Sequence, residues 1–219
     1  MLLNHPRKAV LAEFVGTATL VMTVVGSGIA AQRLTEDAGV ELLINALATV
    51  AALGVLIAVL LPVSGAHLNP VVTLVLVLRR GLRPSLGIAY VVAQLLGGVA
   101  GTLIAHGMYE RAAVSAYDSD RGGLGTALGE VVATAGLVLV VLMTQRAALA
   151  WAVPAWIGAA YFFTSSTSFA NPAVTVGRAL TDSFAGIRWV DVPGFVIAQL
   201  VGGLLALVLA AALTTEESV

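Results

Sequence analysis

The sequence has no cysteine, which excludes disulfides, thiolate metal sites and a cysteine nucleophile. It is also poor in charge. Charged residues make up 11% of 219 positions, against roughly 25% in an average soluble domain. That leaves too few polar groups to coat a globule of this size. The formal net charge is −1 and no basic cluster stands out, so the electrostatic footprint of a nucleic-acid binder is missing. His5, His67 and His106 lie far apart in the chain. They suggest no metal site and no catalytic constellation, and no cofactor is implied.

What is present is apolar. Hydrophobic residues make up 59% of the chain, and the mean hydropathy is +0.99. The solvent for most of this chain is therefore lipid. The chain holds 23 glycines, and small residues scattered through apolar helices let backbones approach closely in a membrane. The apolar stretches run on without alternation and exceed the roughly 9–11 residues of a barrel strand, which points to helices.

A helix needs about 20 apolar residues to cross a hydrocarbon core of about 30 Å. Six stretches qualify: 9–31, 40–61, 84–107, 124–144, 149–164 and 192–213. The first follows Arg7 and Lys8 but is too long for the apolar core of a signal peptide. With the N-terminus inside, the cytoplasmic loops carry Arg7, Lys8, Arg79, Arg80, Arg83 and Arg146, and the outer loops Arg33, Arg111, Arg121, Arg178 and Arg188. The margin is small, but it favours cytoplasmic termini by the positive-inside rule. Trp151 and Trp189 suit interfacial anchoring, whereas Trp156 lies deeper and packs.

Two apolar segments, 69–78 and 171–180, are too short to span. At 1.5 Å per residue each reaches about 15 Å, half the bilayer. Each opens with Asn-Pro, a helix start in which Asn caps and Pro takes the first helical position. Small or polar residues precede each, Ser64-Gly65-Ala66-His67 and Ser165-Ser166-Thr167-Ser168. Irregular backbone at membrane depth requires burial or a watery cavity. The pattern predicts two re-entrant half-helices beside an aqueous path.

The halves also resemble each other. Glu13-Phe14-Val15-Gly16-Thr17 matches Glu130-Val131-Val132-Ala133-Thr134, and Asn69-Pro70-Val71-Val72-Thr73 matches Asn171-Pro172-Ala173-Val174-Thr175. Val92-Ala93-Gln94-Leu95-Leu96-Gly97-Gly98 matches Ile197-Ala198-Gln199-Leu200-Val201-Gly202-Gly203. The order is the same in both halves. With three spans in each, the second half enters from the opposite face. The chain, 1–219, thus reads as a single domain of inverted repeats at approximately 9–107 and 124–213, with its functional site near the midplane.

These paired signatures resemble the aquaporin and glycerol-facilitator (major intrinsic protein) family over nearly the whole chain. The resemblance implies an all-α membrane protein with six transmembrane helices plus two re-entrant half-helices in an inverted repeat. It also implies a homotetramer with one pore per subunit, embedded in the lipid of the inner (plasma) membrane. The pore centre would be Asn69, Pro70, Asn171, Pro172 and Ala173, with both half-helix N-termini and the Asn N–H donors facing the permeant. Hydroxylic solutes would be accepted and cations opposed. Glu13 and Glu130 are read as acceptors for the irregular backbone before each half-helix. His67, Gln94 and Gln199 are further structural polar support, with a pH gate as the other reading of His67.

The sequence departs from the family at the constriction outside the Asn pair. The third residue after the second Asn, usually Arg, is Val174. Counting back 20 from Asn69 gives Thr49. Counting back 12 and three from Asn171 gives Ala159 and Ser168. Phe169 would intrude if the loop register shifted. Thr49, Ala159, Ser168 and Val174 predict a wide filter without its usual cation. Arg178, four residues past Val174, falls on the same helix face. It is read either as an outer-vestibule cation or as a structural residue that caps the helix C-terminus or pairs with Asp182. The second box and the following Gly177-Arg178-Ala179-Leu180-Thr181-Asp182-Ser183-Phe184-Ala185-Gly186 resemble a bacterial subgroup associated with arsenic-resistance genes. That would imply passage of metalloid hydroxides such as arsenite, and of methylated arsenicals. The leading expectation is a passive channel for small, mainly uncharged polar solutes. An ordinary water or glycerol pore is the alternative, and a proton-coupled transporter using Glu13 and Glu130 is the reading from another class. A membrane enzyme finds no support in the residues.

Overall fold

The computed structural model describes residues 5–214. The cytoplasmic termini expected from the sequence concern residues that include 1–4 and 215–219, outside that range. Among the described residues the elements are α1 (Pro6–Leu34), α2 (Ala38–Ser64), α3 (Pro70–Leu78), α4 (Pro84–Met108), α5 (Leu124–Met143), α6 (Leu149–Phe163), α7 (Pro172–Arg178) and α8 (Val192–Leu213), with a single 3₁₀ turn, Arg146–Ala148, before α6. Of these, α1, α2, α4, α5 and α8 are long and apolar enough to cross a membrane. The remaining span, α6, has 15 residues, about 22 Å at 1.5 Å per residue.

Local chemistry sets the helix ends. Asp37 caps α2, its side chain accepting from Gly39 N at 2.8 Å and Val40 N at 3.0 Å. Gly65 ends α2 in a left-handed conformation, φ 91°, which a glycine adopts without a Cβ penalty. Proline opens α1, α3, α4, α7 and α8, where its missing N–H is one the helix would not have paired.

Packing follows the small residues. α1 lies along α4, and α5 along α8. A Cβ on Gly97 would stand 2.5 Å from Phe14 O, and one on Gly202 2.5 Å from Val131 O. The next glycine of each pair reaches the other half of the chain. Gly98 lies against Ala173 of α7, and Gly203 against Val71 of α3. The repeated Gln-x-x-Gly-Gly motifs therefore place each half-helix against the long helix of the opposite repeat. Trp156 packs as expected, donating to Ala133 O at 2.9 Å and stacking edge-on with Phe163. Trp151 and Trp189 are exposed, in keeping with an interfacial place.

Candidate functional site

The short helices α3 and α7 each begin at an asparagine in extended conformation. Asn69 Oδ1 accepts from Val71 N at 2.9 Å, and Asn171 Oδ1 from Ala173 N at 2.9 Å. Each amide nitrogen crosses to the other half. Asn69 Nδ2 donates to Ala170 O at 2.7 Å, and Asn171 Nδ2 to Leu68 O at 2.7 Å. The two boxes thus meet end to end. An amide NH₂ has two donors, so the cross-link uses one from each and leaves one over. Pro70, Pro172 and Ala173 are buried directly behind the asparagines.

The backbone entering each box is bent. Leu68 and Ala170, just before the asparagines, have φ of 49° and 49°, and Ala66 and Ser168 have φ of 47° and 52°. Non-glycine residues reach this region at a cost of about 1–2 kcal/mol each. A buried carboxylate holds each bend. Glu13 accepts from His67 N (3.0 Å), Leu68 N (2.6 Å), Ser64 Oγ (2.6 Å) and Gln94 Nε2 (2.7 Å). Glu130 accepts from Phe169 N (2.9 Å), Ala170 N (2.8 Å) and Gln199 Nε2 (2.6 Å). The glutamines reach onward to Thr73 at 3.0 Å and Thr175 at 2.9 Å. His67 is tied to Thr73 Oγ1 at 3.1 Å and lies edge-on to Tyr90.

A cavity of about 90 Å³ runs past both asparagines, large enough for several waters at roughly 10–15 Å³ of such space each. Its lining includes the two segments that enter the boxes, Gly65–Asn69 and Ser168–Asn171, together with the apolar Leu53, Ile57, Leu137, Val153 and Ile157 from α2, α5 and α6. Thr49, Ser168, Val174 and Arg178 line it as well.

Ala159 does not line the cavity. It is exposed, and the α6 residues facing the cavity are Leu149, Val153, Ile157 and Tyr161. Those recur every fourth position, whereas Ala159 lies two residues from both Ile157 and Tyr161. At 3.6 residues per turn two residues turn the side chain by about 200°. The ungapped count from Asn171 therefore selects the wrong face of α6. Tyr161, which the count missed, reaches across to Thr49 Oγ1 at 3.3 Å. Phe169, the neighbour expected to intrude only on a register shift, also lines the cavity.

Arg178 is on the cavity side, one turn beyond Val174, but it is not in an open vestibule: only 1% of it is exposed. It does not pair with Asp182, which instead bridges to Arg111 at 3.1 Å. Its Nε donates to the Ala185 carbonyl oxygen, and its guanidinium carbon lies 3.4 Å from the Phe169 ring centroid. Loop residues seven positions on thus hold it, a partnership no local sequence pattern shows.

Spanning helices around two half-helices that meet at a cavity define a membrane channel of the aquaporin type. Comparison with known proteins agrees. The sequence profile described as major intrinsic protein matches residues 4–147. The aquaglyceroporin AqpS of Rhizobium meliloti (strain 1021) is 48% identical over 91% of this chain and 87% of its own length. A probable TIP-type aquaporin of Medicago truncatula is 33% identical over 98% of this chain and 92% of its own. The chain belongs to the major intrinsic protein family. The X-ray structure of the aquaglyceroporin from Plasmodium falciparum shares the fold, with a TM-score of 0.71 at 22% identity over 94% of both chains.

Proposed function

We propose that the cavity is the permeation path of a passive channel for small, mainly uncharged polar solutes, with glycerol-like molecules and metalloid hydroxides such as arsenite among them. The observation that carries this reading is the mixed lining of the cavity. It combines the spare Asn69 and Asn171 donors with apolar side chains such as Leu53, Ile57, Leu137 and Val153. A polyol or a neutral metalloid triol suits both kinds of lining, with hydroxyls for the donors and a less polar flank for the apolar side chains. Beyond the asparagines, Thr49, Ser168 and Val174 act as short filter residues, and Arg178 supplies the cation that opposes positively charged solutes. The name of the Rhizobium relative, an aquaglyceroporin, supports polyol passage.

Glu13 and Glu130 support the bends rather than relay protons. Both oxygens of each accept hydrogen bonds, and neither residue lines the cavity. The chain, 1–219, acts as a single channel domain of two inverted repeats, approximately 9–107 and 124–213. It sits in the plasma membrane with both termini cytoplasmic, as a homotetramer with one pore per subunit.

Stopped-flow measurements on proteoliposomes with water, glycerol and arsenite test this reading. The wild type should pass all three, and Val174→Arg should lower arsenite and glycerol flux more than water flux. Equal losses for all solutes would place the selective constriction elsewhere. Water flux with no glycerol or arsenite flux would leave an ordinary water pore.

A further inference from the structure

Among the described residues Arg178 is a buried cation without a salt bridge, and its Nη1 has no hydrogen-bond partner. What orients it is the carbonyl of Ala185, in a segment, 181–188, that has no regular secondary structure. That segment is shaped from outside. Arg121, in the loop between α4 and α5, donates Nε to Gly186 O at 2.7 Å and Nη2 to Phe184 O at 2.9 Å. Its two bonds bracket Ala185. The Arg121 guanidinium carbon also lies 5.6 Å from the centroid of Phe169, the ring that Arg178 covers. Tyr117, from the same loop, closes on Gly186 so tightly that a Cβ there would stand 2.3 Å from the ring. Further ties come from Ser115 N to Leu180 O at 3.0 Å and from Arg111 to Asp182. Arg121 does not itself line the cavity.

We propose that Arg121 is a positioning residue for the Arg178 guanidinium. By fixing the carbonyls on either side of Ala185, it aims the Ala185 carbonyl at Arg178 Nε and holds that cation against the wall, so that the lumen beside Val174 stays open. The proposal rests on the cavity being the permeation path. Without Arg121, the Ala185 carbonyl loses its direction. The Arg178 side chain, which has no salt bridge among the described residues, then samples the lumen and obstructs wide solutes more than water.

The test compares water and erythritol permeability in proteoliposomes. Arg121→Ala should lower the erythritol-to-water ratio about fivefold, the size of coupling seen within one hydrogen-bond network. Arg121→Lys keeps the charge but reaches one carbonyl at a time, and should fall between. In an Arg178→Ala background, Arg121→Ala should change the ratio no further, a dependence that a general loss of loop structure would not show. An unchanged ratio in Arg121→Ala, or the same fall without Arg178, overturns the proposal. If Arg121→Ala does not fold, as judged by monodispersity in detergent, Arg121→Lys and its double variant with Arg178→Ala carry the test. Failure of both Arg121 variants to fold marks a general structural residue and also overturns it. A wild type no more permeable than empty vesicles removes the channel reading itself, and this proposal with it.

Discussion

The two re-entrant arms share a frame and differ in what the frame presents. In both, a glutamate holds the backbone of the two residues before an asparagine, and a glutamine bridges that glutamate to a threonine. The cavity-facing positions of the helices also correspond: Val72 and Leu76 in the first arm, Val174 and Arg178 in the second. The first arm is apolar at both. The second places a cation at the later position, and Phe169 faces the cavity where the first arm has His67. Repetition has kept the parts that hold strained backbone in a membrane. The parts that face the cavity have diverged, which gives the two arms unlike linings.

The frame can be broken in matched pairs. Glu13→Gln and Glu130→Gln should have the largest effect. Each turns an acceptor into an NH₂ group facing a backbone N–H, and about 3 kcal/mol of stability should go, since buried donors are left unpaired. Thermal unfolding in detergent measures it. A large drop for one and none for the other would end the case for equivalent frames.

The second pair sharpens the comparison. Gly98→Ala would place a Cβ 2.5 Å from the backbone oxygen of Ala173, whereas Gly203→Ala would place one 2.3 Å from a side-chain methyl of Val71. A methyl can rotate away and a helix backbone cannot. Gly98→Ala should therefore destabilise by about 1–3 kcal/mol, the usual range for overpacking, and Gly203→Ala by less. The same unfolding assay ranks them, and the reverse order would show that α3 is held more rigidly than α7.

The smallest effect concerns the longer loop of the second arm, 179–191, where the first has only 79–83. Asp191 accepts from Arg188 at 2.8 Å and 3.0 Å and from Arg121 N at 3.2 Å. The hydrogen bonds from Arg188 hold its carboxyl below the ordinary aspartate range. A depressed value in the folded state stabilises above the unfolded value and is lost as pH falls through the folded one. The protection factors of residues 181–191 in hydrogen exchange, which are taken relative to the intrinsic rate at each pH, should therefore fall on acidification below the ordinary carboxylate range. In Asp191→Asn protection should already be lower at neutral pH and change less across that window. Identical pH profiles would remove Asp191 as an anchor of the loop.

Much of the frame was legible because its signals are local. Asn-Pro marks a helix start wherever it occurs, and the half-helices expected at 69–78 and 171–180 appear as Pro70–Leu78 and Pro172–Arg178, each capped by its asparagine. The spans fell into place because apolar length is counted directly, though α1 begins at Pro6 and ends at Leu34, beyond the expected 9–31. The lining was less legible. Ala159 follows from a count through an irregular loop, where one or two residues decide which helix face looks inward. Tyr161 and the anchoring of Arg178 depend on partners in other elements, which no short pattern exposes.

The crossed amide bonds between the two boxes also bear on how the molecule is made. Asn69 and Ala170 lie 101 positions apart, and Asn171 and Leu68 lie 103 apart. During synthesis the first arm is complete long before its partners leave the ribosome. Until then the Asn69 amide and the Leu68 carbonyl lack these bonds, and an unsatisfied polar group in hydrocarbon costs several kcal/mol. The half-made protein thus has reason to keep its first arm near water or near the insertion machinery. Final seating of that arm waits for the second, so the junction where the arms meet closes only after more than a hundred further residues have been made.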